Sequence, residues 1–380
     1  MILIMRQRRI DMEILERLCS GELRKGDYRG FHQWLDAEDF SWGQLLESAV
    51  RHKVLPMLAH AVLSQSAVEK VPRFVGELMS ETLRVNQHRL KVFRGVAARV
   101  LEAFEENGLP VASTKGLALE SIVYGDRGLR GMWDIDFMID PEDRKAVSKL
   151  LAKLGFEPGY LEWQSGDIHR LSRRELLAYE LNPDHLPPQV LGVDDDILPC
   201  VNVDVACSFT WHRCEYSVPV EPALARRTFI EVPGLQGRCL PVLATDDHFI
   251  FIALHLFREA WIETWVSLEQ DVNLVKFGDM YRFFHQYQDE LTSESFRIKL
   301  KELDIAKPLA WVTSHLDSIF SSSLTSQIGI SGEADAEWLG SAGGSARTTR
   351  KWSGDMRERL ASTQRASLFR EVEDEGPSNG

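Results

Sequence analysis

The sequence predicts an α+β protein in which a small mixed sheet lies between two helical parts. Apolar residues recur at helical spacing before residue 107 and again after residue 245. Between these stretches the pattern changes to short apolar or alternating runs, which are typical of strands. We therefore expect an N-terminal helical region at 1–107, an α/β core at 108–245, a C-terminal helical region at 246–320 and a mostly flexible tail at 321–380.

Length and composition limit the class of protein further. The 380 residues exceed what one hydrophobic core usually supports, so more than one structural unit is expected. No apolar run reaches the roughly 18 residues that a membrane helix needs, and the first residues lack the order of a secretory signal. The five cysteines are an odd number, which fits a reducing compartment. We expect a cytoplasmic protein without a membrane segment.

The net charge argues against a general nucleic-acid binder. The chain has 44 basic and 57 acidic residues, a net of −13, so it lacks the positive field that neutralises phosphates. Residues 341–370 differ, because seven basic side chains face two acidic ones there, a net of +5. The acidic body disfavours free nucleic acid as a partner, although the basic segment 347–370 does not exclude it. A polyanionic substrate needs local cations or metal ions.

Two helices in the N-terminal part follow from spacing. Trp42 to Leu55 places apolar residues on one face, and Asn86 to Asn107 forms a longer amphipathic stretch. Gly108 follows directly and favours the left-handed conformation that ends a helix. We therefore expect the helical region to stop at residue 107.

The core begins where the helical spacing ends. Leu109 to Ser113 predicts a short strand, and a Lys-Gly turn separates it from a short helix over Leu117 to Tyr124. Asp134 to Ile139 predicts a buried strand. Asp140-Pro141 follows it as a helix N-cap and a proline in the first helical position. This strand–turn–helix unit is the clearest pattern in the chain.

The remaining elements are less evenly marked. Residues 157–200 are polar and rich in turn formers, so irregular structure is expected there. Val201 to Ala206 alternates with period two and predicts another strand. Helices are expected from Thr245 to Trp261 and from Leu268 to Phe284.

Asp134 and Asp136 are the strongest candidates for chemistry. Alternate residues of a strand share a face, so both carboxylates project together. Carboxylate pairs suit Mg²⁺, which also takes substrate phosphates as ligands. Asp204, between two valines on the strand predicted at Val201 to Ala206, is the candidate third ligand, with the acidic run Asp194 to Asp196 as its rival. The alternative interpretation is a pair of solvated residues at the end of a strand.

A candidate phosphate site precedes these carboxylates. Ser113, Thr114, Lys115 and Gly116 end one strand and open a helix, so their backbone N–H groups and the lysine are suited to a triphosphate. Arg130 lies on the following loop. It either stabilises a leaving pyrophosphate or pairs with a loop carboxylate such as Asp126, and both interpretations stay open.

These motifs together resemble a known family. The order of strand, Lys-Gly turn, helix, arginine loop and D-x-D strand is similar to the nucleotidyltransferase fold of polymerase-β-like enzymes. More narrowly, the chain resembles the uncharacterised bacterial nucleotidyltransferase family in four segments, which are Thr114–Leu119, Tyr124–Asp126, Arg130 and Asp134–Ile139. A weaker resemblance covers about residues 40–285. Trp133 and Ala206 depart from the family pattern, which commonly has a small or polar residue and a histidine there.

The resemblance implies a nucleotidyltransferase. It would move a nucleoside monophosphate from an NTP to an unidentified acceptor hydroxyl and release pyrophosphate. Asp134, Asp136 and Asp204 would bind two Mg²⁺ ions, and residues 113–116 with Arg130 would bind the nucleotide. Two variants stay open: a toxin-like or regulatory enzyme that modifies tRNA or protein, and a non-catalytic nucleotide-binding module of the same fold.

Two further clusters of potential ligands have simpler structural interpretations. Asp246, Asp247 and His248 precede His255, with His248 seven residues before it on the same helix face, a pattern similar to helical metal phosphohydrolases, but further ligands are missing. A buried, hydrogen-bonded His255 is the simpler interpretation. Cys200, Cys207 and Cys214 recur every seven residues, whereas paired zinc ligands are usually two to four residues apart, so structural thiols are expected.

Overall fold

A computed structural model of the protein describes residues 9–21, 33–64, 70–162, 164–343, 349–352 and 356–370. The predicted α+β class is confirmed: a mixed sheet of eight strands carries helices from both parts of the chain. The sheet is larger than the three strands that the sequence pattern marks.

The central sheet has the strand order β4-β3-β5-β6-β2-β1-β8-β7. Its strands are β1 (Val111–Ser113), β2 (Asp134–Ile139), β3 (Glu157–Leu161), β4 (Ile168–Arg170), β5 (Gln189–Gly192), β6 (Cys200–Ala206), β7 (Thr228–Glu231) and β8 (Cys239–Val242). β2 is parallel to β6, and β1 is parallel to β8. The other neighbours are antiparallel. β2 thus lies in the middle of the sheet.

The described residues before the sheet include the helices α1 (Ile10–Ser20), α2 (Trp42–Arg51), α3 (Leu55–Leu63) and α4 (Arg73–Glu106). The helix predicted to end at residue 107 is confirmed at that end, since Gly108 has φ +63°. It begins earlier than the sequence pattern marks and has 34 residues.

Helices inside and after the sheet complete the fold. They are α5 (Gly116–Tyr124), α6 (Arg144–Lys153), α7 (Arg173–Leu181), α8 (Val220–Ala225), α9 (Thr245–Trp261), α10 (Glu263–Ser267), α11 (Leu274–Gln286), α12 (Gln288–Leu291), α13 (Glu294–Glu302), α14 (Ala306–Phe320), α15 (Leu324–Ile328), α16 (Ala336–Leu339) and α17 (Met356–Ala361). A second sheet contains β9 (Ser341–Gly343), β10 (Thr349–Trp352) and β11 (Phe369–Arg370).

The two faces of the sheet pack against different layers. Ile135 and Phe137 of β2 belong to a core that includes Phe104 of α4. Met138 of β2 faces the other core, which also contains residues from α1, α2, α3, α9, α11 and α14. The N-terminal and C-terminal helices therefore share one hydrophobic core, on the face of β2 that also carries the even-numbered residues.

The region 157–200 contains more regular structure than its polar sequence indicates. β3, β4, β5 and α7 all lie there. The three residues of β4 are exposed, so no apolar periodicity marks them.

A second difference concerns the helix expected from Leu268. Glu269 has φ +55°, and α11 starts only after Asn273, whose side chain accepts a hydrogen bond from Lys276 N–H.

The tail expected to be mostly flexible contains packed structure in its described part. Leu324 and Ile328 of α15 and Met356 and Leu360 of α17 are fully buried. These elements are only five or six residues long, too short to show helical periodicity. The described part of the tail is therefore held by packing against the rest of the protein.

Asp271 ties the C-terminal segment to the body of the protein. Its two carboxylate oxygens accept hydrogen bonds from Arg359 Nε at 2.8 Å and Arg365 Nη1 at 2.6 Å. All three side chains are at most 1% exposed. Arg357 is also engaged, with Glu16 at 3.1 Å. Three arginines of the basic segment therefore hold the fold together.

Replacing Asp271 by alanine should destabilise the protein by about 3–5 kcal/mol, because two buried guanidinium groups would lose their shared counterion. Urea denaturation measures the free energy of unfolding. Glu337→Ala is the matched control, since the Lys351–Glu337 pair is exposed on both sides and should contribute less than about 1 kcal/mol. Equal losses for both variants would show that the buried cluster has no special weight.

Candidate functional site

The alternation of β2 places two carboxylates on one side of the sheet. Asp134 and Asp136 lie on the same face of β2 as Met138, which faces the core shared by the N-terminal and C-terminal helices. Ile135 and Phe137 fill the core on the opposite face. The shared face predicted from the sequence is therefore present. Asp136 is almost fully buried, at 3% exposure.

Asp204 joins this pair through the pairing of β2 with β6. In the parallel ladder, Asp136 lies opposite Asp204. Oxygen atoms of Asp134, Asp136 and Asp204 all lie within 4.8 Å of one another. The rival run is placed elsewhere: Asp195 accepts hydrogen bonds from the backbone N–H of Ile197 and Leu198 and contacts His88 at 2.8 Å. Among the described residues, these three aspartates form the one cluster with the geometry of a metal site.

The electrostatics of the cluster favour a bound cation. Burial, and then the neighbouring Asp136 carboxylate, raise the pKa of Asp134 to about 7. Burial also acts to raise the pKa of Asp204, but His185 and Lys115 hold it below its usual value. Mg²⁺ prefers oxygen ligands, and the three aspartates offer carboxylate oxygens close together. A cation among them would also favour ionisation of Asp134, whose pKa is raised.

Lys115 lies directly over these carboxylates. Its Nζ is 2.6 Å from Asp136 Oδ1 and 3.8 Å from Asp204 Oδ2. Burial acts to lower the pKa of Lys115, but Asp136 and Asp204 raise it above its usual value. The lysine is therefore charged and partly neutralises the cluster.

Gly116 allows the turn to approach the carboxylates. Its φ is +24°, and a Cβ there would lie 2.9 Å from Asp136 Oδ2. Any side chain would therefore press on Asp136 in a backbone conformation that already favours glycine.

Ser113 and Thr114 lie differently from what direct phosphate contact requires. Both are fully buried, because Ser113 pairs with Phe137 in the sheet and Thr114 N–H donates to Asp136 O. The carbonyl of Thr114 accepts a hydrogen bond from His248 Nε2 at 2.6 Å. These two residues fix the start of the turn, while Lys115 and Gly116 reach the site.

Arg130 is held by a loop that two buried side chains shape. The carboxylate of Glu120 accepts hydrogen bonds from the backbone N–H groups of Gly128, Leu129 and Arg130. Asn86 Nδ2 donates to the carbonyls of Gly128 and Arg130. The loop therefore has one defined conformation where it enters β2.

The side chain of Arg130 pairs with Asp279 of α11, at 3.0 Å from Nε and 2.9 Å from Nη2. Asp126, the partner considered from the sequence, binds Arg94 and Ser121 instead. Tyr124 Oη also donates to Asp279, at 2.7 Å. Arg130 is thus anchored and still lines the pocket described next.

A pocket of about 130 Å³ lies beside Asp134 and Asp136. Its charged and titratable lining residues are Lys53, Lys115, Arg130, Asp134, Asp136, His255, Glu259, Lys276 and Asp279. Sequence reasoning did not assign a site role to Lys53, Glu259, Lys276 or Asp279. They come from α9, α11 and the turn after α2, so no local motif joins them.

His255 is hydrogen-bonded, as expected, but it also belongs to this pocket. Its Nε2 lies 3.3 Å from Glu259 Oε2 and 3.4 Å from Lys115 Nζ. Burial lowers the pKa of His255 to about 4, although Glu259 opposes this shift. The imidazole is therefore neutral near pH 7.

A second group of polar residues lies on the Asp204 side of the cluster. His185 Nε2 is 4.0 Å from Asp204 Oδ2, and Arg258 contacts His185 Nδ1 at 3.1 Å and Asp184 Oδ2 at 3.3 Å. His185 pairs with Ala206 in an isolated bridge beside β6. A histidine therefore lies near the position where the sequence has Ala206.

The other clusters from the sequence serve the fold. Asp246 and Asp247 pair with Arg226 and Lys299, and His248 binds the Thr114 carbonyl. In the described part of the chain they form no metal-binding group with His255. Cys200 and Cys207 are buried free thiols, and Cys214 is partly buried. None of the helices in the described ranges is both long and apolar enough to cross a membrane.

Three clustered aspartates on the middle strands of a mixed sheet, with a basic pocket beside them, define a site suited to metal-assisted chemistry on phosphates. A family model described as uncharacterised nucleotidyltransferase matches residues 38–321, and the chain belongs to this family. The expected resemblance to an uncharacterised nucleotidyltransferase family is thereby confirmed, and the family indicates nucleotidyl transfer with an NTP as substrate. Comparison with curated proteins finds no match.

Without metal, wild type should become less stable as pH rises, because Asp134 ionises less readily in the folded protein than in the unfolded chain. Asp134→Asn should not show this loss. The pKa of Asp134 is raised from 3.8 to about 7, so its favourable protonated form is lost as pH rises through about 7. Relative to wild type, the variant should gain on the order of 4 kcal/mol between about pH 4 and pH 7, since one pKa unit equals about 1.4 kcal/mol.

Urea denaturation in a chelator at several pH values measures this difference. Asp194→Asn, which changes an exposed carboxylate, is the control and should follow the wild-type pH dependence. Added Mg²⁺ should then stabilise wild type more than Asp134→Asn. Parallel pH profiles for wild type and Asp134→Asn would contradict the crowded-carboxylate interpretation.

Proposed function

We propose that the protein is a Mg²⁺-dependent nucleotidyltransferase that moves a nucleoside monophosphate from an NTP to an acceptor hydroxyl and releases pyrophosphate. The observation that carries this proposal is the convergence of Asp134, Asp136 and Asp204 within 4.8 Å beside a pocket lined by basic residues. The three aspartates are the proposed ligands. When bound there, Mg²⁺ would lower the acceptor's pKa and offset charge on the phosphates.

The basic side of the site is the proposed place for the triphosphate. Lys115 and Arg130 line the pocket together with Asp134 and Asp136. Once the carboxylates have metal counterions, Lys115 no longer has to neutralise Asp136 and is available to phosphate oxygens. The approach of Gly116 to Asp136 keeps the backbone of the turn close to the same place.

The acceptor is proposed to approach from the Asp204 side. Asp204 does not line the pocket that contains Lys115 and Arg130. Its side chain is also more exposed than that of Asp136, at 31% against 4%. Its carboxylate is the proposed acceptor of the hydroxyl proton. The resulting oxygen attacks the α-phosphorus, the bond from this phosphorus to the α–β bridging oxygen breaks, and the electron pair leaves with pyrophosphate.

The intact carboxylates favour a catalyst over a non-catalytic nucleotide-binding module. The acceptor class is a small molecule, a peptide or a larger partner, and incubation of the protein and a cell extract with four α-labelled NTPs identifies which molecule gains label. The internal pairing of Arg357, Arg359 and Arg365 removes much of the basic segment that tRNA binding would use.

Asp136→Asn and Asp204→Ala should each reduce label transfer by several orders of magnitude, because each removes a proposed metal ligand. Asp204→Ala also removes the proposed proton acceptor. Asp194→Ala is the matched control and should retain wild-type transfer. Circular dichroism and the unfolding midpoint check that the variants remain folded. Pyrophosphate release that is unchanged in both site variants, or loss in Asp194→Ala alone, would place the site elsewhere.

Lys115→Ala should raise KM by roughly 10- to 150-fold with a smaller drop in kcat, the loss expected for one charge-assisted contact to phosphate. Mg²⁺ binding without nucleotide should become tighter in the same variant, since the ammonium 2.6 Å from Asp136 competes with the metal. Metal titration and steady-state kinetics measure the two effects. NTP affinity equal to wild type would mean that the turn only connects β1 to α5.

A further inference from the structure

The charged residues of the pocket are mostly arranged in pairs. Lys115 pairs with Asp136, Lys276 with Glu259 at 2.5 Å, and Arg130 with Asp279. Lys53 also lines the pocket, and among the described residues it forms no ion pair with a carboxylate within 4.0 Å. Burial and then Lys276 lower its pKa, while Glu259 and Asp134 oppose this from a greater distance. The ammonium group of Lys53 therefore has no directly paired carboxylate.

The backbone holds Lys53 in a conformation that side chains rarely adopt. Its φ is +59°, in the left-handed region. This φ belongs to the end of α2, where Lys53 N–H donates to the carbonyl of Val50 and Val54 N–H donates to the carbonyl of Ala49, the bonds of a Schellman motif. The helix end therefore fixes the place from which the Lys53 side chain extends.

Contacts with α11 and with the Arg130 loop hold this turn in place. His52, which is fully buried, accepts hydrogen bonds from the first N–H groups of α11: its Nδ1 from Leu274 at 3.3 Å and its carbonyl from Val275 at 3.4 Å. Burial holds the pKa of His52 well below its usual value, so Nδ1 is free to accept. The carbonyl of Lys53 lies against the Arg130 loop, where a Cβ on Gly131 would be 3.1 Å away.

We propose that Lys53 binds the terminal phosphates of the triphosphate, on the side of the leaving pyrophosphate. Its place in the pocket supports this, since the pocket is shared with Lys115 and Arg130 and does not include Asp204. The turn after α2 thereby adds the N-terminal helical region to the nucleotide site. This inference rests on the proposed function and names the polyphosphate tail as the group that Lys53 recognises.

Calorimetric titration with three probes, each with Mg²⁺, tests the proposal: ATP, inorganic pyrophosphate and AMP. Lys53→Gly removes the ammonium group and suits the left-handed backbone, so the fold should be retained or stabilised. It should weaken ATP and pyrophosphate binding by roughly 10- to 150-fold and leave AMP binding unchanged. Lys53→Arg should recover part of the loss. Lys149→Ala, an exposed lysine outside the pocket, is the control.

The outcomes separate the two proposals. If wild type binds ATP and Lys53→Gly binds ATP and pyrophosphate equally well, the role of Lys53 is refuted and the proposed function stands. If Lys53→Gly weakens AMP as much as ATP, the residue acts on the nucleoside or on the fold, and its phosphate role is also refuted. If wild type binds neither ATP nor pyrophosphate, the proposed function fails together with this inference.

Discussion

The parallel register of β2 and β6 is the constraint on which the site depends. It places Asp204 beside Asp136, and the alternation of β2 adds Asp134 on the same face. A shift of one residue in either strand would turn a carboxylate into the opposite core. The odd-numbered residues Ile135 and Phe137 resist such a shift, because they are buried against α4. Apolar packing on one face of the sheet therefore fixes the carboxylate geometry on the other.

The charges that line the pocket are balanced in number, with four cationic side chains and four carboxylates. Lys115 lies where it partly neutralises Asp136 and Asp204. Burial first, and then the Asp136 carboxylate, still raise the pKa of Asp134 against the effect of Lys115, so its neutralisation is partial. A divalent cation at the three aspartates, as proposed, would complete the neutralisation, and the pocket cations would then exceed the remaining anions. Metal and polyanionic substrate thus favour each other electrostatically, which suits a reaction in which both must be present.

The two helical flanks act as one unit around this site. They share a hydrophobic core, and each supplies pocket residues: Lys53 from the turn after α2, and Lys276 and Asp279 from α11. Asp271 lies just before α11 and is held by two arginines of the C-terminal segment. The position of α11 therefore depends on both ends of the described chain. A residue far from the cluster in sequence can act on the pocket through this packing.

The sequence by itself determined the local parts of the site. Periodicity and turn chemistry act within a few residues, and they predict three of these parts. They are the face shared by Asp134 and Asp136, the end of α4 at Asn107 and the Lys-Gly turn. Tertiary structure decided what depends on distant pairing. It brought Asp204 rather than Asp195 to the cluster, buried Ser113 and Thr114 in the sheet and paired Arg130 with Asp279. It also ordered β3 to β5 and the C-terminal segment, whose elements are too short or too exposed to leave a pattern. Contacts between residues tens to hundreds of positions apart leave no local signal in a single chain, so only packing could select them.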